Sequence, residues 1–305
     1  MNTKRDPFFD GLKFLLISLV IIGHIPFPSH GFHQVIYSFH MPMFAFLSGF
    51  FSKPQTLSGL FYSCLRLLRI YVIFDVILIA IQLFINDKPM SLRHLIVPQL
   101  AIWYLLSLIY WRIAISIKPL SELTTKQIII ITIITTIAGF IPLGSEFAFQ
   151  RSIAFFPFFL YGYYSKRKGL IMKLRDNNKI KILLACIIFL ACALITRQIH
   201  TFMPKNPYHS YNDMLIRIFQ SGLAFIIIHA ILTIIPNRFV LQFSKYGKNT
   251  IFYYTYHTIP VALIYVYLDK NNLSFNFITG ILTAVVLLLL LTLISKIKLF
   301  QIPFK

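Results

Sequence analysis

A lysine and a histidine bracket the apolar stretch KFLLISLVIIGH, from Lys13 to His24. On an α-helix eleven residues make three turns plus about 20°, so the two side chains share a face. They lie roughly 16 Å apart along the axis, so a single ligand using both must be long. A second histidine, His40, sits in IYSFHMPMFAFLSGFF, and a neutral imidazole in an apolar segment is suited to general base work on a hydroxyl. Arg66 and Arg69 in CLRLLRIY are three apart and share a helix face; with Lys13 they would form a trio able to hold phosphate. Arg151, with Glu146 nearby, could orient a substrate or cap a helix. Trp103 and Tyr104 suit a site or an interfacial aromatic belt, and Asn249 and Thr250 suit an N-cap or an anion-binding turn.

The elements that must position these groups follow from composition. Of 305 residues 57% are hydrophobic and only 12% charged, against about a quarter charged in soluble domains. Apolar runs near spanning length recur along the chain, which excludes a cleaved leader followed by a soluble domain. The expected fold is all-α: a polytopic membrane protein of about ten helices forming one domain over residues 1–305. The ten segments are 12–27, 33–51, 70–85, 95–117, 127–142, 152–164, 180–200, 214–235, 250–268 and 275–294, the sixth short enough to be tilted or broken.

The formal charge of +20 would point to nucleic acid in a soluble protein, but here it falls between apolar runs, so no nucleic-acid partner is expected. One set of alternate loops holds Lys4, Arg5, Lys13, Lys53, Arg66, Arg69, Lys118, Lys126, the stretch SKRKGLIMKLRDNNKIK, Arg238, Lys245, Lys248, Lys296, Lys298 and Lys305. The other holds only Lys88, Arg93, Arg151, Arg197, Lys205, Arg217 and Lys270, with Arg112 inside a helix. The positive-inside rule then puts both termini in the cytoplasm and His24 and His40 at similar depth in the outer half of the bilayer. His200 and His209, at the longest outer loop, read as solvated. Cys64, Cys186 and Cys192 form no C-x-x-C pair and read as packing residues, with no metal site expected.

Two classes of function fit these residues. One is an enzyme using histidine as a base; the other is a transporter or exporter with histidines as a proton relay. No internal repeat is evident, which favours the first.

The ordered motifs resemble acyltransferase family 3, the polytopic membrane O-acyltransferases, and within it the fucose 4-O-acetylase-like branch. They are Asp10-Gly11-Leu12-Lys13 with His24 eleven residues after the lysine, Ser38-Phe39-His40-Met41-Pro42, Phe46-Leu47-Ser48-Gly49-Phe50, Arg66 with Arg69, Trp103-Tyr104-Leu105, Arg151 with Phe156-Pro157 and Gly162, and Gly247-Lys248-Asn249-Thr250 leading to His257. Lys13 stands where many members carry arginine; it keeps the charge and loses the fork. The resemblance implies transfer of an acyl group, usually acetyl from cytoplasmic acetyl-CoA, to a hydroxyl of a lipid-linked or cell-surface saccharide, in the bacterial cytoplasmic membrane. It assigns His24 and His40 to catalysis, Lys13, Arg66, Arg69 and Asn249 to the donor, and Arg151 and Trp103 to the acceptor. His24 would act as base for direct attack or become acylated itself.

Overall fold

The computed structural model describes residues 6–28, 31–85, 89–117, 123–171, 179–198 and 206–304. Lys4, Arg5, Lys88, Lys118, Lys173, Arg175, His200, Lys205 and Lys305 lie outside the described residues. Among the described residues the structure is helical, without strands. The long helices are α1 (Pro7–His24), α2 (Phe32–Phe51), α3 (Leu57–Ala80, continued as a π-helical turn Ile81–Ile85), α4 (Trp103–Ser116), α5 (Thr125–Ile137), α6 (Phe149–Arg167), α7 (Lys179–Gln198), α8 (Tyr211–Ile234), α9 (Thr250–Tyr256), α10 (Thr258–Lys270) and α11 (Phe277–Ile294).

Helix thus occurs in every apolar segment expected from the sequence, and among the described residues five stretches are long and apolar enough to cross a membrane: Pro7–His24, Leu57–Ile85, Lys179–Arg197, Tyr211–Ile234 and Phe277–Ile294. All but the first of these carry large apolar side chains on their outward faces. On α11, Ile278, Leu282, Val285 and Leu289 are exposed, and α5 has no buried residue despite being mostly isoleucine and threonine. A face of that composition is suited to hydrocarbon rather than water.

Glycines set the tightest contacts. Gly49 of α2 lies against the carbonyl of Phe159 on α6, and Gly162 of α6 lies against the carbonyl of Phe46 on α2. A side chain at either position would collide with backbone, so these two helices approach through the small-residue contact that replaces hydrophobic driving force in a membrane. At the start of α1, whose first turn is capped by Asp6 and opened by Pro7, Gly11 meets the Val240 carbonyl and Gly247 meets the Asp10 carbonyl. Those contacts seat the Lys13 end of α1 against residues 240–247.

Four elements differ from expectation. The third starts at Leu57, with Thr56 as its cap, because its polar first turns remain helical beyond the apolar run. The sixth is neither short nor broken: α6 runs nineteen residues with Pro157 inside it. The fourth is divided. A short helix, Leu92–Ile96, ends before Pro98, which has no N–H to donate and disfavours helix at the residue before it. Residues 97–102 then run irregularly until α4 begins. Asp75 of α3 holds this segment, accepting from the Gln99 N–H at 3.1 Å and from the Tyr71 hydroxyl at 3.2 Å. A further break at His257 separates α9 from α10, where Pro260 cannot donate to the Tyr256 carbonyl four residues earlier.

Candidate active site

Two hollows lie at opposite ends of α1. A cleft of about 310 Å³ opens at the Lys13 end, lined by Lys13, Ser48, Arg66, Arg112, Lys248 and Asn249 among others. A cavity of about 620 Å³ at the other end is lined by His24, His40, Trp103, Arg151, Arg217 and Tyr254 among others. Tyr254 lines both. Its hydroxyl donates to the Ala101 carbonyl in the irregular segment before α4, and its ring lies 5.7 Å from that of Tyr104, which faces the cleft. Lys13 and His24 therefore each face a hollow from the same stripe of α1.

In the cleft, Lys13 pairs with Asp10 at 3.6 Å and sits 4.2 Å over the ring of Phe51. Tyr104 and Ser48 share a hydroxyl hydrogen bond of 2.8 Å on its wall. Arg69 does not line the cleft: its guanidinium donates to the Pro303 carbonyl at 3.2 Å. Three residues past Arg66, it turns instead to the C-terminal 3-10 segment Lys298–Phe304, whose Gln301 and Phe304 form part of the cleft wall. Arg112 takes the place expected for Arg69, joined by Lys248. Asn249 stands at the N-cap position of α9, yet its side chain makes no capping bond and faces the cleft, while the Thr250 hydroxyl donates to the Gly247 carbonyl at 2.7 Å. No carboxylate is among the residues lining the cleft.

In the cavity, the Nδ1 of His24 lies 2.7 Å from the Val20 carbonyl, and that of His40 lies 2.7 Å from the Ile36 carbonyl. A carbonyl can only accept, so each Nδ1 carries the proton and each Nε2 keeps a lone pair. The ring of His257, at the α9–α10 break, is 5.3 Å from that of His24, fully buried, with its Nδ1 on the Tyr253 carbonyl and its Nε2 without a hydrogen-bond partner. Tyr37 ties α2 to α1 by donating to the Gly23 carbonyl.

In the same cavity, Trp103 and Phe155 stack at 5.5 Å, with the Arg151 guanidinium 5.1 Å over the first ring and that of Arg217 5.4 Å over the second. Glu146 does not join them; it is exposed and lies beside Gly144. Arg151 is set in place by the backbone. Phe147 and Ala148 both have left-handed φ (47° and 62°), a conformation costing about 1–2 kcal/mol per non-glycine residue. The Trp111 indole donating to the Ser152 carbonyl at 2.9 Å, and the Ser107 to Ser152 hydroxyl bond at 2.7 Å, hold the first turn of α6 in that arrangement. No carboxylate lines this cavity either. Cation–π contacts contribute roughly 0.5–2 kcal/mol each, less than the several kcal/mol needed to bury an ion, so the two guanidiniums lack full compensation within the cavity walls.

The structure thus brings His24, His40, Trp103 and Arg151 to one cavity and Lys13, Arg66 and Asn249 to one cleft. Sequence reasoning missed Arg112, Lys248, Arg217 and Tyr254 as lining residues. The signal for Arg112 was present, since a cation inside an apolar helix calls for a partner or a function. Arg217 carried the same signal, since it falls inside the expected segment 214–235, but it lies in that segment's first turn and was counted with the outer-loop charges. Among the described residues no cluster of three or more histidine, cysteine or acidic side chains could hold a metal ion.

The protein is thus helical with several membrane-length segments, and has a cation-lined cleft at one end of its first helix and a histidine-bearing cavity at the other. Residues 6–297 match the acyltransferase domain of the acyltransferase 3 family, and the chain belongs to that family. No curated protein and no solved structure matches it.

Proposed function

We propose that the protein is an O-acetyltransferase of the fucose 4-O-acetylase-like branch, spanning the bacterial cytoplasmic membrane ten times with both termini inside. It moves acetyl from cytoplasmic acetyl-CoA to a hydroxyl of a lipid-linked or cell-surface saccharide. The observation that carries this reading is that Tyr254 lines both the cleft and the cavity, with Lys13 and His24 on one stripe of α1.

Lys13, Arg66 and Arg112 hold the phosphates of coenzyme A, with Asn249 beside them, while Arg69 braces the C-terminal wall. The thin arm of the donor follows α1 toward Tyr254, across a span of roughly 16 Å. The acceptor hydroxyl loses its proton to Nε2 of His24 as its oxygen attacks the thioester carbonyl. The C–O bond forms, the C–S bond breaks, and the proton passes to the departing thiolate. Arg151 and His40 face the developing negative charge on the carbonyl oxygen and orient the acceptor, with Trp103 as the ring beneath Arg151.

The test is surface-glycan acetylation. Proton NMR of polysaccharide from cells lacking the protein loses an acetyl signal that wild type restores and His24→Ala does not. An acetyl signal unchanged by deletion, together with no turnover of labelled acetyl-CoA by the purified protein, would overturn the proposal.

A further inference from the structure

We propose that the cavity around Arg151 and Arg217 is a phosphate subsite: it takes a phosphate or diphosphate group carried by the acceptor. This rests on the reading that the His24 cavity receives the acyl acceptor. Two guanidiniums face one space, each braced over one member of a stacked ring pair, and among the described residues no carboxylate lines that space. Arg217 is 8% exposed, and the contact seen from its guanidinium is a long one, 3.5 Å to the Ala154 carbonyl. The counter-charge must come from what binds.

The number and type of cations choose the ligand. A single carboxylate would neutralise one guanidinium and leave the other without an anion, whereas a phosphate or diphosphate carries about two negative charges and offers oxygens in the geometry the guanidinium fork matches. Gln220 and Ser221 line the same cavity and supply neutral donors around the anion. His24 and His40, each with a free Nε2, line the same cavity, so an acceptor anchored by phosphate at the arginines would present its sugar hydroxyls to the histidines.

The experiment uses the full chain in detergent and reads tryptophan fluorescence, because one of its two tryptophans, Trp103, lies under Arg151. The probes are farnesyl diphosphate, farnesol, inorganic pyrophosphate and glucuronate. Farnesyl diphosphate is expected to bind wild type about tenfold more tightly than farnesol, and Arg217→Gln to lose about that factor while Arg217→Lys retains most of it. Arg66→Gln, altered only in the other cation-lined hollow, should shift farnesyl diphosphate affinity less than about twofold. Pyrophosphate competing as well as farnesyl diphosphate supports the phosphate subsite with a free anion as its source; weaker competition supports a lipid-borne phosphate. Equal affinity for farnesol and farnesyl diphosphate in wild type, a loss confined to Arg66→Gln, or glucuronate binding as tightly as pyrophosphate would each overturn the proposal. The wild-type comparison stands even if an arginine variant fails to fold. Acetyl-CoA turnover is assayed separately, so its absence alongside intact diphosphate binding would count against the acetyltransferase reading alone.

Discussion

The cleft at the Lys13 end and the cavity at the His24 end are both cationic, but they hold their cations differently. In the cleft, Lys13 already has a carboxylate partner in Asp10, Arg66 is exposed, and part of the wall is the C-terminal segment clasped by Arg69. In the cavity, the arginines are braced on stacked aromatic rings, one of them beside a strained backbone, without a carboxylate among the lining residues. A carboxylate beside Lys13 and an Arg66 open to solvent suit a soluble ligand that binds and leaves each cycle. Braced, uncompensated charge suits orientation of a substrate whose reacting hydroxyl must meet a fixed imidazole.

Variants sharpen this division, starting with the largest effect. His24→Ala should lower turnover of labelled acetyl-CoA about 10²- to 10⁴-fold, the range for loss of a general base, while coenzyme A still binds. Retained turnover would shift the base to His40 or His257. Arg112→Gln removes a charge-assisted contact worth about 1.5–3 kcal/mol, so KM for acetyl-CoA should rise roughly tenfold or more with kcat little changed, measured in steady-state assays. Tyr254→Phe leaves the Ala101 carbonyl without the hydroxyl it now accepts from. That should cost about 1–3 kcal/mol, visible as a lower unfolding midpoint in detergent. Arg69→Gln is the smallest: it acts only through Pro303, and one hydrogen bond from an exposed side chain is worth about 0.5–1.5 kcal/mol, so KM for the donor should rise only a few-fold.

The parts of this arrangement that were legible in the sequence are those governed by local periodicity. The shared face of Lys13 and His24 follows from 3.6 residues per turn, and the helical segments follow from runs of apolar residues. The breaks had local signals in Pro98 and Pro260 that a hydropathy reading passes over, since proline interrupts hydrogen bonding without interrupting apolarity. What was not legible depends on contacts between distant helices. Arg66 and Arg69 share a face by spacing, yet the partner of Arg69 is 234 residues away, and nothing near CLRLLRIY encodes it. Arg112 and Arg217 are likewise sited by how α4 and α8 are rotated against their neighbours, which depth and charge counts do not specify. Gly49 and Gly162 appear in the sequence as unrelated motif positions, and only the α2–α6 contact shows why both must lack a side chain.

The division of labour along α1 is tested most directly by equilibrium binding of coenzyme A to the purified wild-type chain and to Arg112→Gln and Arg217→Gln. The account predicts that affinity falls about tenfold or more in Arg112→Gln and changes little in Arg217→Gln. Loss of coenzyme A binding in Arg217→Gln with full binding in Arg112→Gln would contradict it, because the donor would then occupy the histidine cavity.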